Sequence, residues 1–247
     1  MTNDRTEQIY CNLELTKSRI SKAAKKTNRD PDAVHLVVVT KGQPLTIVQS
    51  AIQAGAKILG ENYAEEAIEK KLAMNADSSI EWHMIGHIQS RKAEMVAGNF
   101  RMIHSLDSLK LAARLEQNLK KSGITIPALL EFNVGGEENK YGWLAKDSGS
   151  WSKLLPDLEQ ILGFPHLKIT GLMTMPPYNA DPERSRSYFI ALRKLREYIS
   201  MRLGLELKNL SMGTSNDFEI AVEEGATFVR IGEAIVGKRH KLLGEQK

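Results

Sequence analysis

Short runs of apolar, mostly β-branched residues recur along the chain and predict eight β-strands. The first run begins at His35 and closes at Lys41, and Gly42 and Pro44 end it. The predicted strands cover 35–41, 57–60, 81–86, 101–105, 127–133, 168–174, 208–212 and 227–231. Such short, nearly continuous apolar runs are typical of strands that are buried on both faces.

Helical periodicity separates these strands and is clearest in two segments. Apolar residues recur at spacings of three and four within 109–119 and within 189–203, which places each set on one face of a helix. Asp181 and Pro182 have the residue types of an N-cap and a first-turn proline for the second helix. The chain therefore alternates strands with helices.

This alternation predicts a parallel sheet, and eight such units within 247 residues predict a closed (β/α)₈ barrel of the TIM type. An amphipathic helix with Ile9 and Leu13 on one face precedes the first strand. We expect a single domain over 1–247, with the leading helix within 1–30 and the barrel over 35–240. The alternative fold is an open, doubly wound sheet.

Composition and charge narrow the class of protein. The chain is 42% hydrophobic and 26% charged, which suits a soluble globular protein. Its single cysteine, Cys11, excludes an internal disulfide, and no leader or long apolar run indicates secretion or a membrane span. A net charge of +4 is too mild and dispersed to indicate nucleic-acid binding. We expect a cytoplasmic protein whose ligand is a phosphorylated small molecule.

The barrel fold predicts functional groups directly after the strands, and Lys41 is the first of them. Desolvation at the end of a buried strand can lower the pKa of a lysine and make its amine a nucleophile toward an aldehyde. The alternative is a solvated lysine that protects the strand end.

Two later loops have the composition of a phosphate site. Ser211-Met-Gly-Thr-Ser ends the seventh predicted strand, and Gly232 and Glu233 open the helix after the eighth. These loops are neighbours in a barrel, so their backbone N–H groups could bind an anion, together with the hydroxyl of Thr214 or Ser215. The alternative is ordinary helix capping by Ser215 and a glycine turn.

Arg230 lies within the apolar eighth strand, where an arginine is costly to bury unless it is paired. One interpretation is a salt bridge to Glu233 or Glu61. The other is a hydrogen bond to a ring nitrogen of a bound cofactor. Together with Lys41 and a phosphate site, Arg230 completes the set of groups that would hold pyridoxal 5′-phosphate (PLP).

The chain also resembles the pyridoxal phosphate homeostasis proteins, which share the barrel of the N-terminal domain of alanine racemase. The matching motifs are Val39-Thr-Lys-Gly-Gln-Pro, Gly60-Glu-Asn-Tyr, Trp82-His-Met-Ile-Gly-His-Ile-Gln-Ser-Arg-Lys, Glu137-Glu-Asn-Lys-Tyr-Gly, Gly171-Leu-Met, Ser211-Met-Gly-Thr-Ser-Asn-Asp and Val229-Arg-Ile-Gly-Glu-Ala-Ile-Val-Gly-Lys-Arg. The resemblance implies that Lys41 forms an aldimine with PLP and that Arg230 faces the pyridine nitrogen. It also implies that Ser211, Ser215 and the Gly232 region hold the phosphate.

Other positions in these motifs carry less specific expectations. Asn62, His87 and Met173 match segments that line the pocket, without an assigned chemical role. Thr214 stands where the family usually has methionine, and Arg91 stands where it usually has asparagine.

The resemblance implies a carrier of PLP in vitamin B6 homeostasis, with no established turnover. Alanine racemase takes a second acid/base tyrosine from an additional C-terminal domain of its dimer partner, and we expect no such domain here. An arginine beside the pyridine nitrogen also leaves that nitrogen unprotonated, which weakens the ring as an electron sink. The alternative is a low-activity amino-acid racemase in which Tyr63, His87 or Lys140 supplies the second base.

The expected partners are PLP and, as recipients of the cofactor, PLP-dependent apoenzymes. We expect a monomer that binds neither nucleic acid nor membranes. His83 and His87 would lie too far apart along one strand to share a metal ion, so we expect no metal site and assign them to core packing and a rim contact.

Overall fold

A computed structural model describes residues 2–74 and 79–238 of the chain. All eight predicted strands are present there, with most ends displaced by one or two residues. The strands are β1 His35–Val39, β2 Ile58–Glu61, β3 Glu81–Met84, β4 Met102–Leu106, β5 Ile126–Asn133, β6 Trp143–Leu144, β7 Leu167–Met173, β8 Asn209–Ser211 and β9 Phe228–Ile231. The predicted barrel end at residue 240 lies outside the described residues.

Eight of these strands form a closed parallel barrel. The sheet runs in the order β4-β3-β2-β1-β9-β8-β7-β5, and β4 also pairs with β5, with Ile103 opposite Ala128. This pairing closes the ring and confirms the barrel over the open sheet. The additional two-residue strand, β6, pairs with the end of β5 outside the ring and was not predicted. Two residues are too few to produce a periodic signal.

Helices cover the outside of the barrel in the described part of the chain. The α-helices are α1 Thr2–Lys26, α2 Leu45–Gln53, α3 Ala64–Ala73, α4 Ala93–Ala97, α5 Leu109–Ser122, α6 Leu155–Leu162, α7 Arg186–Leu203, α8 Phe218–Glu223 and α9 Glu233–Val236. Short 3₁₀ helices occupy Pro31–Ala33, Ser90–Lys92, Ser148–Leu154 and Pro182–Ser185. None of the helices within 2–74 and 79–238 combines the length and apolar character that a bilayer crossing requires.

The two helices with clear periodicity bury the predicted faces. Leu115 and Leu119 of α5 and Phe189 and Leu192 of α7 are fully buried. Asp181 caps as predicted, because its side chain accepts a hydrogen bond from the Glu183 amide. However, it caps the 3₁₀ helix Pro182–Ser185, and α7 itself begins one turn later, at Arg186.

The leading helix α1 packs along the first and last helices of the barrel. Ile9 and Leu13 are each 1% exposed, as the amphipathic pattern predicts. Asn12 donates to the carbonyl of Ile235 at 3.0 Å, and Arg5 donates to the carbonyl of Val236 at 3.0 Å. The helix therefore joins the two ends of the barrel sequence.

The core has two layers. The larger one lies between the strands and the helices, and the smaller one fills the barrel itself. The apolar residues of the inner layer are Val37, Met102, Leu129, Met173 and Phe228. Polar side chains reach this interior from β3, β4, β8 and β9, and they are described below.

Candidate functional site

A cavity of about 440 Å³ opens at the carboxyl ends of the strands. Its wall includes Asn62, His87 and Met173, the motif positions expected to line a pocket, and it includes Arg230. The other predicted site residues are not part of this wall: Lys41, Ser211, Thr214, Ser215, Gly232 and Glu233. They end or follow β1, β8 and β9, three adjacent strands. Arg230, in β9, thus belongs to the cavity wall and also lies beside the loops that carry these six residues.

Lys41 is half-buried and follows β1, beside the strand that carries Arg230. Val37 of β1 is the register partner of Arg230 in β9, so Lys41 lies beyond Arg230 toward the carboxyl face. Gly42, the next residue, has a φ of 66°, a left-handed conformation that glycine adopts at low cost. The backbone therefore turns sharply just after the lysine.

A buried ion network holds the residues on both sides of Lys41. Lys70 Nζ donates to the Thr40 carbonyl at 2.8 Å, to Glu61 at 2.7 Å and to Glu66 at 2.6 Å. Glu66 also accepts from the Gly42 amide at 2.7 Å. Because Thr40 and Gly42 are both bonded to this network, the backbone on either side of Lys41 is fixed.

Glu61 is fully buried within the network. Its Oε1 accepts from the Thr40 hydroxyl and from Lys70, both at 2.7 Å, while Oε2 has no hydrogen-bond partner in the part of the chain that the structure describes. Burial raises the pKa of the Glu61 carboxyl, and the charge of Lys70 opposes that change. The expected salt bridge from Arg230 to Glu61 is therefore wrong. Glu61 pairs with Lys70, and the Arg230 guanidinium donates to other groups.

Arg230 is 5% exposed, and its hydrogen-bond partners are neutral. Nη1 donates to Ser211 Oγ at 2.6 Å and Nη2 donates to the Thr174 carbonyl at 3.0 Å. Within the described residues Arg230 forms no ion pair, so the alternative pairing with Glu233, which is exposed, is also wrong. Burial lowers the pKa of the guanidinium to about 10, against the opposing charges of Glu131 and Asp217. Arg230 remains a cation at neutral pH.

Glu131, near the end of β5, lies in the cavity wall and was missed by the sequence analysis. Burial, and to a smaller extent the charge of Asp107, raise the pKa of its carboxyl to about 7, against the opposing charges of Arg230 and Lys140. A signal did exist: Glu131 interrupts the run Leu129-Leu130-Glu131-Phe132 at an inward-facing position of the strand.

The two predicted phosphate loops meet in the structure. The Ala234 amide lies 3.5 Å from Ser215 Oγ, and the Arg230 amide donates to the Gly213 carbonyl at 3.0 Å. The amide and the hydroxyl of Thr214 both donate to Asp217 Oδ1, at 2.7 and 3.1 Å, so the proton of this hydroxyl already has an acceptor. The hydroxyl of Ser215 is thus better placed than that of Thr214 to serve this site.

Glycines allow the loops to approach closely. A Cβ at Gly232 would lie 3.2 Å from the Val39 carbonyl, and a Cβ at Gly86 would lie 2.5 Å from the Cα of Asn62. Gly86 thereby lets the loop after β3 pack directly on the loop after β2, which carries Asn62.

Ser211 lies inside the barrel with its hydroxyl fully buried. Besides accepting from Arg230, its Oγ lies 2.8 Å from His104 Nδ1. The resemblance implied that Ser211 holds the phosphate, but in this structure its hydroxyl is engaged by an arginine and a histidine.

The three candidate second bases, Tyr63, His87 and Lys140, all line the cavity. His87 stacks on Tyr141 with ring centroids 3.5 Å apart, and its Nδ1 lies 2.7 Å from Asp107. Lys140 bonds to Glu137 at 2.8 Å and to the Met175 carbonyl at 2.9 Å. The expected roles of His87 at the rim and of His83 in the core are both confirmed.

Comparisons with known proteins show the family to which the chain belongs. The family model for the alanine racemase N-terminal domain matches residues 12–240. A pyridoxal phosphate homeostasis protein of Aquifex aeolicus is 39% identical over 92% of this chain and 96% of its own length. The structure of PipY from Synechococcus elongatus with PLP bound is 31% identical, with a TM-score of 0.75 over 88% of this chain and all of that chain.

The alanine racemase of Clostridium difficile shares the fold alone. It is 14% identical, with a TM-score of 0.63 over 93% of this chain but 56% of that chain. The family match and the 39% identity confirm the resemblance seen in the motifs. The chain therefore belongs to the pyridoxal phosphate homeostasis protein family, within the group defined by the alanine racemase N-terminal domain.

Proposed function

We propose that this protein binds PLP covalently through Lys41, with the pyridine nitrogen facing Arg230. We further propose that it acts as a carrier of the cofactor in cytoplasmic vitamin B6 homeostasis. The observation that carries the proposal is Arg230, a buried cation with neutral hydrogen-bond partners, at the junction of the Lys41 loop, the two phosphate loops and a cavity. PipY, with PLP bound in its structure, supports the choice of ligand.

The residues present fit the chemistry of PLP. When bound, PLP would supply an aldehyde, a group that reacts with primary amines, and a ring that withdraws electrons. Lys41 is the amine at the rim. Arg230 can only donate hydrogen bonds, so a pyridine nitrogen facing it would accept one and stay unprotonated.

The loops after β8 and β9 would hold the phosphate. Ser215 offers a hydroxyl where these loops meet, and the backbone amides near Gly232 and Glu233 supply further donors. The ion network around Thr40 and Gly42 would hold the Lys41 loop in one conformation, with or without the ligand. Such a rigid loop suits reversible capture of the cofactor.

We propose no turnover. The curated relative carries the name of a homeostasis protein, and the likeness to alanine racemase extends to the fold alone. Among the candidate bases, His87 and Lys140 are already bonded to rim groups. Hydrogen–deuterium exchange at Cα of added amino acids distinguishes a racemase, which would exchange rapidly, from a carrier.

Borohydride reduction followed by peptide mapping tests the attachment. We expect the reduced adduct on Lys41. Lys41→Ala should abolish the absorbance band of the lysine-bound cofactor and leave thermal unfolding unchanged, because a half-buried rim side chain contributes little to the core. Lys140→Ala, at a lysine in the cavity wall, is the matched control and should keep the band. An adduct confined to Lys140 or Lys57 would overturn the assignment.

A further inference from the structure

A line of hydrogen-bonded side chains crosses the interior of the barrel. It starts at Arg230, continues through Ser211 Oγ at 2.6 Å, and reaches His104 Nδ1 after a further 2.8 Å. His104 Nε2 lies 3.0 Å from His83 Nδ1, and His83 Nε2 lies 3.2 Å from Glu81 Oε2. Ser211, His104 and His83 are 0%, 0% and 2% exposed, whereas the Glu81 side chain is 48% exposed. The line therefore connects the cavity to solvent at the opposite end of the barrel.

The chemistry of its two ends fixes every proton in the line. A guanidinium can only donate, so Ser211 Oγ accepts from Arg230. The Ser211 hydroxyl keeps its own proton, which it can donate to His104 Nδ1, its remaining partner among the described residues. His104 is left with its proton on Nε2, which donates to His83 Nδ1.

The same assignment follows from the other end. An ionised carboxylate can only accept, so His83 Nε2–H donates to Glu81 and His83 Nδ1 must accept. With both imidazoles neutral, as their surroundings require, each ring carries its proton on Nε2. All the hydrogen bonds point in one direction, from a cation to an anion, and bonds in such a chain strengthen one another.

The surroundings keep both histidines neutral. The Phe228 ring packs edge-on against both imidazoles, with centroids 5.9 Å from His83 and 5.1 Å from His104. Burial lowers the pKa of His83 to about 4; Glu81 opposes this, and His35 and Arg101 add to it. Burial also places the pKa of His104 well below its ordinary value, and the nearby charge of Arg230 lowers it further.

We infer that Ser211, His104 and His83 are positioning residues, which hold the Arg230 guanidinium at the cavity through a hydrogen-bonded line anchored on Glu81. Because the Ser211 hydroxyl gives its own proton to His104, its oxygen is a stronger acceptor for Arg230. The remaining donors of Arg230 are thus oriented before a ligand arrives. The consequence for PLP affinity rests on the function proposed above, whereas the proton positions do not.

The first test uses the protein without cofactor. In ¹⁵N-labelled protein at pH 7, the long-range ¹H–¹⁵N couplings of His83 and His104 should identify two neutral imidazoles protonated on Nε2. A proton on Nδ1 of either ring, or an imidazolium, would overturn the inference whatever the protein binds.

The second test breaks the line at His104. His104→Leu leaves the Ser211 hydroxyl without its acceptor, and we expect PLP affinity to fall about tenfold with the Lys41 adduct still formed. His104→Gln keeps an acceptor and a donor in similar positions and should restore affinity to within about twofold. His166→Leu, at a histidine bonded to Glu116 outside the barrel, is the matched control. Wild-type affinity in His104→Leu, or equal losses in the Leu and Gln variants, would contradict the positioning role. If the wild-type protein forms no PLP adduct on Lys41, the result instead refutes the proposed function.

A third variant avoids the buried core. Glu81→Ala removes the accepting carboxylate at an exposed position, so the ring signals of both His83 and His104 should shift, because the hydrogen bonds of the line strengthen one another. Unchanged His104 signals in this variant would show that the side chains are not coupled.

Discussion

Substitution of Glu131 allows a direct measurement of how much a buried carboxyl in the cavity wall lowers the free energy of unfolding. Its carboxyl has an ordinary pKa of 4.5 and a folded-state pKa of about 7, mainly because burial disfavours the charged form and also because Asp107 lies near. We predict that Glu131→Gln, which keeps the shape and removes the charge, stabilises the protein at neutral and alkaline pH.

The sign and size follow from proton linkage. Between pH 4.5 and about 7 the folded protein binds more protons at Glu131 than the unfolded chain does, so the stability contributed by this group is lost as pH rises through that window. Each pH unit of separation corresponds to about 1.36 kcal/mol, so the whole gap is on the order of 3 kcal/mol. The variant should exceed the wild type in free energy of unfolding by about this amount at pH 8 and by little at pH 4.5.

Urea unfolding of the cofactor-free proteins at pH 4.5, 6 and 8 measures this difference. The buried histidines have lowered pKa values and change stability with pH in the opposite sense, but they occur in both proteins and cancel in the comparison. Glu138→Gln, at an exposed position in the following loop, is the control and should show no such pH dependence. A difference between Glu131→Gln and wild type that is the same at all three pH values would refute the reasoning.

Three further predictions concern the other groups of the site. Lys70→Met leaves the Glu61 carboxylate buried without its cationic partner and should cost about 3–5 kcal/mol of unfolding free energy. Most of this loss should be recovered in the Glu61→Gln, Lys70→Met double variant, and no recovery on urea unfolding would contradict the buried pair. Arg230→Glu offers a pyridine nitrogen a carboxylate, so the absorbance of bound PLP and the rate of Cα exchange should both change, and an unaltered spectrum at full occupancy would reduce Arg230 to a structural role. Pyridoxal should bind at least about 100-fold more weakly than PLP in a titration, because it lacks the phosphate and loses several charge-assisted hydrogen bonds of roughly 1.5–3 kcal/mol each. Equal affinities would rule out a phosphate site near Gly232.

The sequence alone determined the strands and the rim. A strand of a closed barrel is buried on both faces, so it appears as a continuous apolar run wherever it occurs, and the eight runs could be located without knowing their neighbours. Groups that follow such runs must lie at the carboxyl face, which is why Lys41, Asn62 and Gly232 could be assigned to one rim. The buried faces of α5 and α7 could also be predicted from local sequence, since apolar residues at spacings of three and four are enough to define a helix face.

Only the tertiary structure decided which polar groups are partners. Glu61 pairs with Lys70 and not with Arg230, and Ser211 bonds to a histidine that precedes it by 107 residues. Local patterns carry no information about such choices, because they depend on side chains that the closed barrel brings together from distant strands. Glu131 illustrates the same limit: its residue type is visible in the sequence, but its raised pKa comes from burial and from neighbouring charges that exist only in the folded protein.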